Sequence, residues 1–353
     1  MTTSNEVPKL LDELLRAGAP SGYEGPAADV WRKAASAFAE LSYDGIGSTF
    51  ARVGSAEPLI AIVGHIDEIG LIVTHIDEKG FLWFEPIGGW DPQVLVGQRV
   101  EVTGTNGPVP GVAGRKPIHL LEPDQRKKVV ELKSMHIDIG VTDREEAEAL
   151  VRVGDPVVIR TEPMRVAGSR LVSKSMDNRL GAYVAAEATR RCAEGAGPGG
   201  SVVGVAAVQE EIGLFGARTS AFALKPDIAV AVDVTHATDA PGVDEKELGS
   251  HPLGSGPVIG RGSTLSPKVF ELLVETAEAE GIEYTVAASG RSTGTDADSI
   301  QIARSGIPTG LVSIPLRYMH SPVEMVDLAD VEAVVNLLAA FASRTKAGVD
   351  LSR

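Results

Sequence analysis

The sequence predicts an α/β protein in which a mixed sheet is flanked by helices and interrupted by a β-rich insertion. Three observations support this class. Buried-type apolar runs alternate with helical patterns at both ends of the chain. The stretch from about Gly70 to Pro163 instead shows alternating strands and turns. The 353 residues, 43% of them hydrophobic, are enough for two domains with a sizeable core.

The first part of the chain is predicted to form two helices, a strand pair and one buried strand. The apolar stripes of the helices, which should cover one face of the sheet, consist of Leu10, Leu11, Leu14 and Leu15, and of Val30, Trp31, Ala34 and Phe38. The strand pair surrounds Asp44 and Gly45. The continuous apolar run from Pro58 to Val63 is typical of a strand buried on both faces, and His65 and Asp67 follow it.

The β-rich stretch contains one predicted helix, with Thr142 as its cap and Glu145 three residues later. Because α/β alternation stands on either side of this stretch, we interpret it as an insertion. The predicted domains are therefore 1–67, the first part of the α/β domain; 68–165, the inserted β-rich domain; and 166–353, the second part of the α/β domain.

The α/β alternation resumes after the insertion. Helices are predicted at 178–192, 267–279, 296–304 and from about 330, and strands at 201–208, 228–232, 284–287 and 309–314.

Composition excludes several classes of protein. Acidic residues outnumber basic ones by 48 to 33, so the formal charge of −15 repels nucleic acid. The longest apolar runs are far too short to span a membrane. The single Cys192 cannot form an internal disulfide, and the start MTTSNEVPKL has no apolar signal-peptide core. These features predict a cytoplasmic protein without nucleic-acid or membrane partners.

Residue types that bind metals follow successive predicted strands. His65 and Asp67 follow one strand, Glu210 and Glu211 the next, and Asp233 a third. Two further candidates lie in loops beside the same sheet edge: Asp177 in Ser175-Met-Asp-Asn-Arg179 and His320 in Tyr318-Met-His-Ser-Pro322.

This set matches the chemistry of a two-metal site, which needs a bridging carboxylate with imidazole and carboxylate ligands on each side. Nitrogen and oxygen ligands without thiolates suit Zn, Co or Mn. Each residue alone also has an ordinary explanation, such as a helix cap for Asp177 or a surface pair for Glu210 and Glu211. Adjacent glutamates directly after a buried strand nevertheless concentrate negative charge that a metal cluster would balance.

Five segments together resemble one family, the tetrahedral (TET) aminopeptidases, also called the glutamyl aminopeptidase or cellulase M family. They are Gly64-His-Ile-Asp-Glu-Ile-Gly70, Ser175-Met-Asp-Asn-Arg179, Val208-Gln-Glu-Glu-Ile-Gly213, Thr293-Gly-Thr-Asp-Ala297 and Met319-His-Ser-Pro322. The resemblance covers nearly the whole chain in order. It implies the phosphorylase/hydrolase-like zinc-peptidase fold with an inserted dimerisation domain, and dimers that assemble into a dodecamer whose active sites face an interior chamber.

The resemblance also implies roles for the candidate residues. His65, Asp177 and Asp233 would hold one divalent ion, and Asp177, Glu211 and His320 the other, so that Asp177 bridges the two. Asp67 would orient His65. Glu210 would be the general base that activates a metal-bridging water for attack on the N-terminal peptide bond of short peptides. Zinc is the expected metal, with cobalt or manganese as alternatives.

Three other functions remain open at this stage. A dimetal carboxypeptidase or deacylase shares the order of ligands, but its lid is inserted later in the chain. An endoglucanase would use Glu210 and a second carboxylate, yet only Trp31, Trp83 and Trp90 are available to stack sugars. A non-enzymatic peptide-binding scaffold would leave Glu210 without a purpose.

Overall fold

The computed structural model describes residues 6–195 and 197–351. The predicted absence of a signal peptide rests partly on Met1 to Asn5, which lie outside the described residues. The helices are α1 Lys9–Arg16, α2 Gly25–Ala35, α3 Pro92–Leu95, α4 Arg144–Leu150, α5 Met176–Glu194, α6 Phe215–Leu224, α7 Glu245–Leu248, α8 Pro267–Glu280, α9 Ala297–Ile300 and α10 Leu328–Arg344.

The strands are β1 Glu40–Tyr43, β2 Thr49–Val53, β3 Leu59–His65, β4 Gly70–Ile76, β5 Leu82–Ile87, β6 Arg99–Gly104, β7 Gly107–Arg115, β8 Met135–Asp138, β9 Pro156–Ile159, β10 Met164–Arg165, β11 Arg170–Ser173, β12 Ser201–Ala207, β13 Ile228–His236, β14 Val258–Gly262, β15 Thr285–Ser289, β16 Thr309–Leu316 and β17 Glu324–Asp327.

A mixed sheet forms the centre of the α/β part. Its described strands follow the order β1-β2-β12-β3-β13-β16-β14-β15. The neighbours β12, β3, β13 and β16 are parallel, whereas β2 and β14 pair antiparallel to them. One face packs against α1, α2, α5, α8 and α10, and the other against α6 and α9. The predicted class, a mixed sheet flanked by helices with an additional β-rich region, is confirmed.

Helix α5 packs unusually close to the central strand β3. A Cβ atom on Gly64 would lie only 2.1 Å from the carbonyl carbon of Gly181. Real Cβ atoms do not approach backbone so closely, so this contact requires glycine at position 64, while a Cβ on Gly181 would lie 2.6 Å from the carbonyl oxygen of Val232. The contact fixes the start of α5, which carries Asp177, beside the end of β3, which carries His65.

The β-rich region closes into a barrel with the strand order β4-β5-β8-β7-β6-β9. It has a hydrophobic core of its own, which includes Leu71, Leu82, Val100, Ile137 and Val157. The domain limits at residues 68 and 165 and a role in dimerisation stay predictions.

Three details of the predicted elements were wrong. The cap of α4 is Asp143, which accepts a hydrogen bond from the Glu146 amide, while Glu146 binds back to Thr142; the reciprocal cap is shifted by one residue. The helix predicted at 296–304 is only α9, because the chain turns again before Arg304, whose φ is +56°. Strand β13 continues past Val232, since Asp233 to His236 still pair with β16.

Within residues 6–195 and 197–351, no helix is long and apolar enough to cross a membrane.

Candidate metal centre

Three of the candidate segments meet because their strands are neighbours. In the sheet, β3 lies between β12 and β13, and all three are parallel. His65 at the end of β3 pairs with Ala207, shortly before Glu210 and Glu211. Ala231 of β13 pairs with Val63, so Asp233 is two residues further along, level with His65. The carboxyl ends of parallel strands thus bring these ligands to one sheet edge.

A small three-stranded sheet brings in the other two candidates. Strand β11 leads into Asp177, and β17 follows the loop of His320. The two strands pair antiparallel, with Ser173 opposite Glu324. This pairing places the start of α5 beside the His320 loop, although the two are distant in the sequence.

The candidate ligand atoms gather into groups that share Asp177. His65, Asp177 and Asp233 form one group, and Asp177, Glu211 and His320 another, with all ligand atoms of a group within 4.8 Å of one another. The two oxygens of Asp177 face different histidines: Oδ1 lies 3.1 Å from Nε2 of His65, and Oδ2 lies 3.3 Å from Nε2 of His320. A third possible group consists of His65, Glu210 and Glu211.

Asp67 contacts both His65 and the glutamate pair. Its Oδ1 lies 3.3 Å from Nδ1 of His65, on the ring side opposite Asp177. Its two oxygens also accept hydrogen bonds from the amides of Glu210 and Glu211, at 3.1 and 3.2 Å, and from the Ser21 hydroxyl. Asp67 therefore fixes the backbone of the glutamate pair as well as the neighbouring imidazole, a contact that its sequence position did not reveal.

Two further residues that position the candidate ligands were missed. The buried Glu324 accepts hydrogen bonds from the amides of Met176 and Asp177 through one oxygen and from the His320 amide through the other. The carbonyl of Gly89, in the loop after β5 of the barrel, lies 2.8 Å from Nδ1 of His320. When Nδ1 donates to this carbonyl, Nε2 is left to bind a cation. Of these two residues, only Glu324 could have been noticed in the sequence, as an acidic residue four positions after His320.

The turns that carry the candidate ligands have unusual backbone angles. Ser175, Gln209 and His320 are non-glycine residues with φ values of +60°, +56° and +58°. Each is a candidate ligand or lies within two residues of one. Such conformations cost free energy, and they concentrate at functional sites where the surrounding structure enforces them.

The electrostatics show an excess of buried negative charge. Burial, together with Asp233, Asp296 and Glu211, raises the pKa of Glu210 to about 10. Burial likewise raises the pKa of Asp233 well above its ordinary value. Burial alone would lower the pKa of His320, but hydrogen bonding to Asp177 and Glu211 raises it to about 11. At Asp177 burial would raise the pKa, but hydrogen bonds with His320 and His65 outweigh burial and lower it.

These shifts provide a test of whether a cation fits. Without one, the carboxylates compete for protons and for the two imidazoles: the buried Oε1 of Glu211 and Oδ2 of Asp177 both lie 3.3 Å from the same Nε2 of His320. Divalent cations would balance this charge, and mixed imidazole and carboxylate ligands are those that zinc and similar metals take. The donor set therefore fits metal ions.

Comparison with known proteins identifies the family. The profile of the M42 glutamyl aminopeptidase family matches residues 47–337. A lysyl aminopeptidase from Pyrococcus furiosus is 35% identical over 346 residues, which cover 96% of this chain and 97% of that protein.

Solved structures extend the likeness to the fold. A TET aminopeptidase from the marine sediment archaeon Thaumarchaeota archaeon SCGC AB-539-E09 has a TM-score of 0.91 and 36% identity, covering 96% of this chain and 97% of that one. The TET1 peptidase of Pyrococcus horikoshii, which can assemble into a tetrahedron or a large octahedral shell, has a TM-score of 0.86 and 31% identity, covering 96% and 99%. With a family profile over most of its length and relatives that match it almost end to end, the chain belongs to the M42 family of aminopeptidases and is a peptide hydrolase.

Proposed function

We propose that this protein is a dimetal aminopeptidase that removes N-terminal residues from short peptides. The observation that carries the proposal is the position of Asp177, whose two oxygens face two different histidine-containing ligand groups. A carboxylate shared in this way is the feature that a pair of divalent ions requires.

His65, Asp177 and Asp233 would hold one ion, and Asp177, Glu211 and His320 the other. When bound, such ions polarise the scissile carbonyl and lower the pKa of water. Zinc suits the ligand types best, and cobalt or manganese would also fit. Asp67 would keep the His65 imidazole oriented, as its 3.3 Å contact with Nδ1 supports.

Glu210 would move the protons. Its Oε2 lies 3.7 Å from Nε2 of His65, and it belongs to neither group that shares Asp177. Burial raises the pKa of this mostly buried carboxyl in the metal-free protein, and bound cations would lower the pKa again, toward the range in which a carboxylate accepts and returns a proton near neutral pH. Such a group can accept a proton from the attacking water and return it to the amine that leaves. The third possible group makes Glu210 a ligand instead, and the metal content of a Glu210 variant separates the two roles.

The position of the histidines favours peptide hydrolysis over the endoglucanase alternative. His65 and His320 each lie within 4 Å of two or more carboxylates. A glycosidase pair of carboxylic acids needs no such imidazoles. A carboxypeptidase or deacylase would use a similar site, and substrates distinguish it.

We further propose that the barrel mediates dimerisation, with the domain limits predicted above, and that dimers assemble into a dodecamer. The similarity to a TET1 peptidase that forms large closed shells supports this assembly. We place the enzyme in the cytoplasm, a reducing compartment that suits the free, buried Cys192.

The decisive experiment is hydrolysis of a panel of aminoacyl p-nitroanilides and their N-acetylated counterparts. We expect no cleavage by chelated protein and cleavage after reloading with Zn, Co or Mn, lost when the substrate amine is acetylated. Cleavage of the acetylated substrates instead would identify a deacylase or another peptidase class. Inactivity with every metal would contradict the proposal.

A further inference from the structure

Asp296, in the segment Thr293-Gly-Thr-Asp-Ala297, has no role in the function proposed above. Its side chain is buried, with 3% exposure, and neither carboxylate oxygen has a hydrogen-bond partner among the described residues. No Lys or Arg of residues 6–195 and 197–351 forms an ion pair with it. A buried carboxylate without a partner is costly, and folded proteins normally pair such groups.

Hydrogen bonds hold the loop on both sides of Asp296. The Asp298 carboxylate accepts from the amides of Thr293 and Gly294, at 2.8 to 3.0 Å. The Ser299 hydroxyl donates to the carbonyl of Leu214 at 3.1 Å, which ties this loop to the segment that follows Glu210. These neighbours of Asp296 are thus held in place, so the missing hydrogen-bond partner of its carboxylate among the described residues does not reflect a poorly packed loop.

Asp296 directly precedes α9, which packs against β13, the strand that carries Asp233. Next to burial, the charge of Asp296 is among the causes that raise the pKa of Glu210 and of Asp233, and His65 acts on Asp296 in return. It belongs, however, to none of the possible ligand groups. The proposed ions would therefore not bind the Asp296 carboxylate directly, and a different cation would have to do so.

We propose that the Asp296 carboxylate binds the N-terminal ammonium of the peptide substrate, as a substrate-binding residue that sets the requirement for a free amine. The inference rests on the aminopeptidase function proposed above. A peptide with a free N-terminus brings a cation that donates hydrogen bonds, and the site as described has a buried acceptor without a donor. Binding such a group both compensates the charge and fixes the register of the peptide at its first residue.

The test compares wild-type protein with Asp296→Asn, which keeps the shape and removes the charge. The probes are an uncleavable amino alcohol and its counterpart without the amine; for leucine these are L-leucinol and 4-methylpentan-1-ol, and the pair is chosen to match the residue that the wild-type protein cleaves best. Inhibition constants are measured in metal-loaded protein, and bound metal is quantified separately.

We expect Asp296→Asn to weaken binding of the amino alcohol by about 10- to 100-fold, the range of a hydrogen bond to a charged group, and to leave the amine-free alcohol nearly unchanged. Metal content should stay at the wild-type level. The matched control is Asp330→Asn, which also removes a buried carboxylate but one that binds the amides of Gly254 and Gly256. It should not alter the preference for the amine.

Equal weakening of both probes, an unchanged preference for the amine, or a loss of metal would each overturn the assignment. If Asp296→Asn does not fold, Asp296→Ala is measured in the same way. Wild-type protein that neither cleaves aminoacyl substrates nor distinguishes the two probes would instead contradict the proposed function itself.

Discussion

Two clusters of buried charge lie side by side in this protein and differ in the source of their positive charge. The first surrounds Glu68, whose oxygens lie 2.5 Å from Nζ of Lys174 and 3.3 Å from Nη2 of Arg179, all three buried. The second is the candidate metal centre, where the described ligand groups contain two imidazoles, those of His65 and His320, and no Lys or Arg beside their carboxylates. Glu68 directly follows Asp67, so the two environments change within one residue.

The difference separates a structural role from a functional one. In the Glu68 cluster the charges of Lys174 and Arg179 outweigh the effect of burial and lower the pKa of the carboxyl. In the candidate metal centre burial raises the pKa of Glu210 and Asp233. A buried site with more carboxylates than cationic side chains fits cations from outside, whereas a balanced cluster supports the fold.

The largest effect should come from Glu210→Gln. Because glutamine cannot take up a proton, we expect kcat to fall by about 10²- to 10⁴-fold, the usual contribution of general acid–base catalysis. Metal content and fold should be retained. Glu211→Gln is the matched control, and it should lose metal because Glu211 lies in the group with Asp177 and His320. Steady-state kinetics with metal analysis check both, and normal turnover of the Glu210 variant would refute its assigned role.

The next effect is on stability. Glu68→Gln leaves Lys174 and Arg179 buried without their carboxylate, and we expect the free energy of unfolding to fall by about 3 to 5 kcal/mol. Adding Lys174→Met should recover part of this loss, because one uncompensated charge is then removed. Denaturant titrations of the single and double variants measure the coupling. Losses that simply add would mean that the two side chains do not interact.

The smallest effect, counted per pH unit, is a pH dependence of the stability of the metal-free protein. The pKa of Glu210 in the folded state, about 10, exceeds its ordinary value of 4.5. Between these two pH values the folded state keeps a proton that the unfolded state releases. His320, raised to about 11, has the same sign. Chelated protein should therefore lose stability as the pH rises from about 6 to 9, by about 1.4 kcal/mol per pH unit for each such proton.

Metal-loaded protein should show a shallower slope, because bound cations replace these protons. Asp233→Asn should also flatten the slope of the chelated protein, since it removes one of the interacting carboxyls. Unfolding midpoints with and without chelator across this pH range provide the measurement. Parallel curves for the two states would show that the carboxylates are not what the metal compensates.

Sequence patterns predicted the part of the centre that depends on parallel strands. His65, Glu210 and Asp233 could be expected at one edge because each follows or ends an apolar run, and such ends meet in a parallel sheet. The exact end of β13 was not predictable, because its extension through Asp233 depends on pairing with β16, a strand far along the chain.

The supporting contacts could not be predicted for the same reason. Glu324 binds amides at both Asp177 and His320, and Gly89 contributes only a backbone carbonyl. Neither leaves a local pattern, since a carbonyl is common to every residue and an isolated glutamate is usually exposed. The short α9 was overestimated because helical spacing continues past Ile300, whereas the chain turns at residues 301–306.

The hydrogen bond between His320 and Gly89 makes the candidate metal centre depend on the barrel. The barrel has its own core, and an independent core is what usually lets a region be exchanged or redesigned as a unit. Here, however, the loop after β5 packs against the site: a Cβ at Gly88 would lie 3.3 Å from Cβ of Glu211, and Gly89 contacts the His320 ring. A barrel transplanted from a relative would have to bring this loop in the same conformation. The barrel therefore cannot be exchanged without also affecting the orientation of the His320 imidazole.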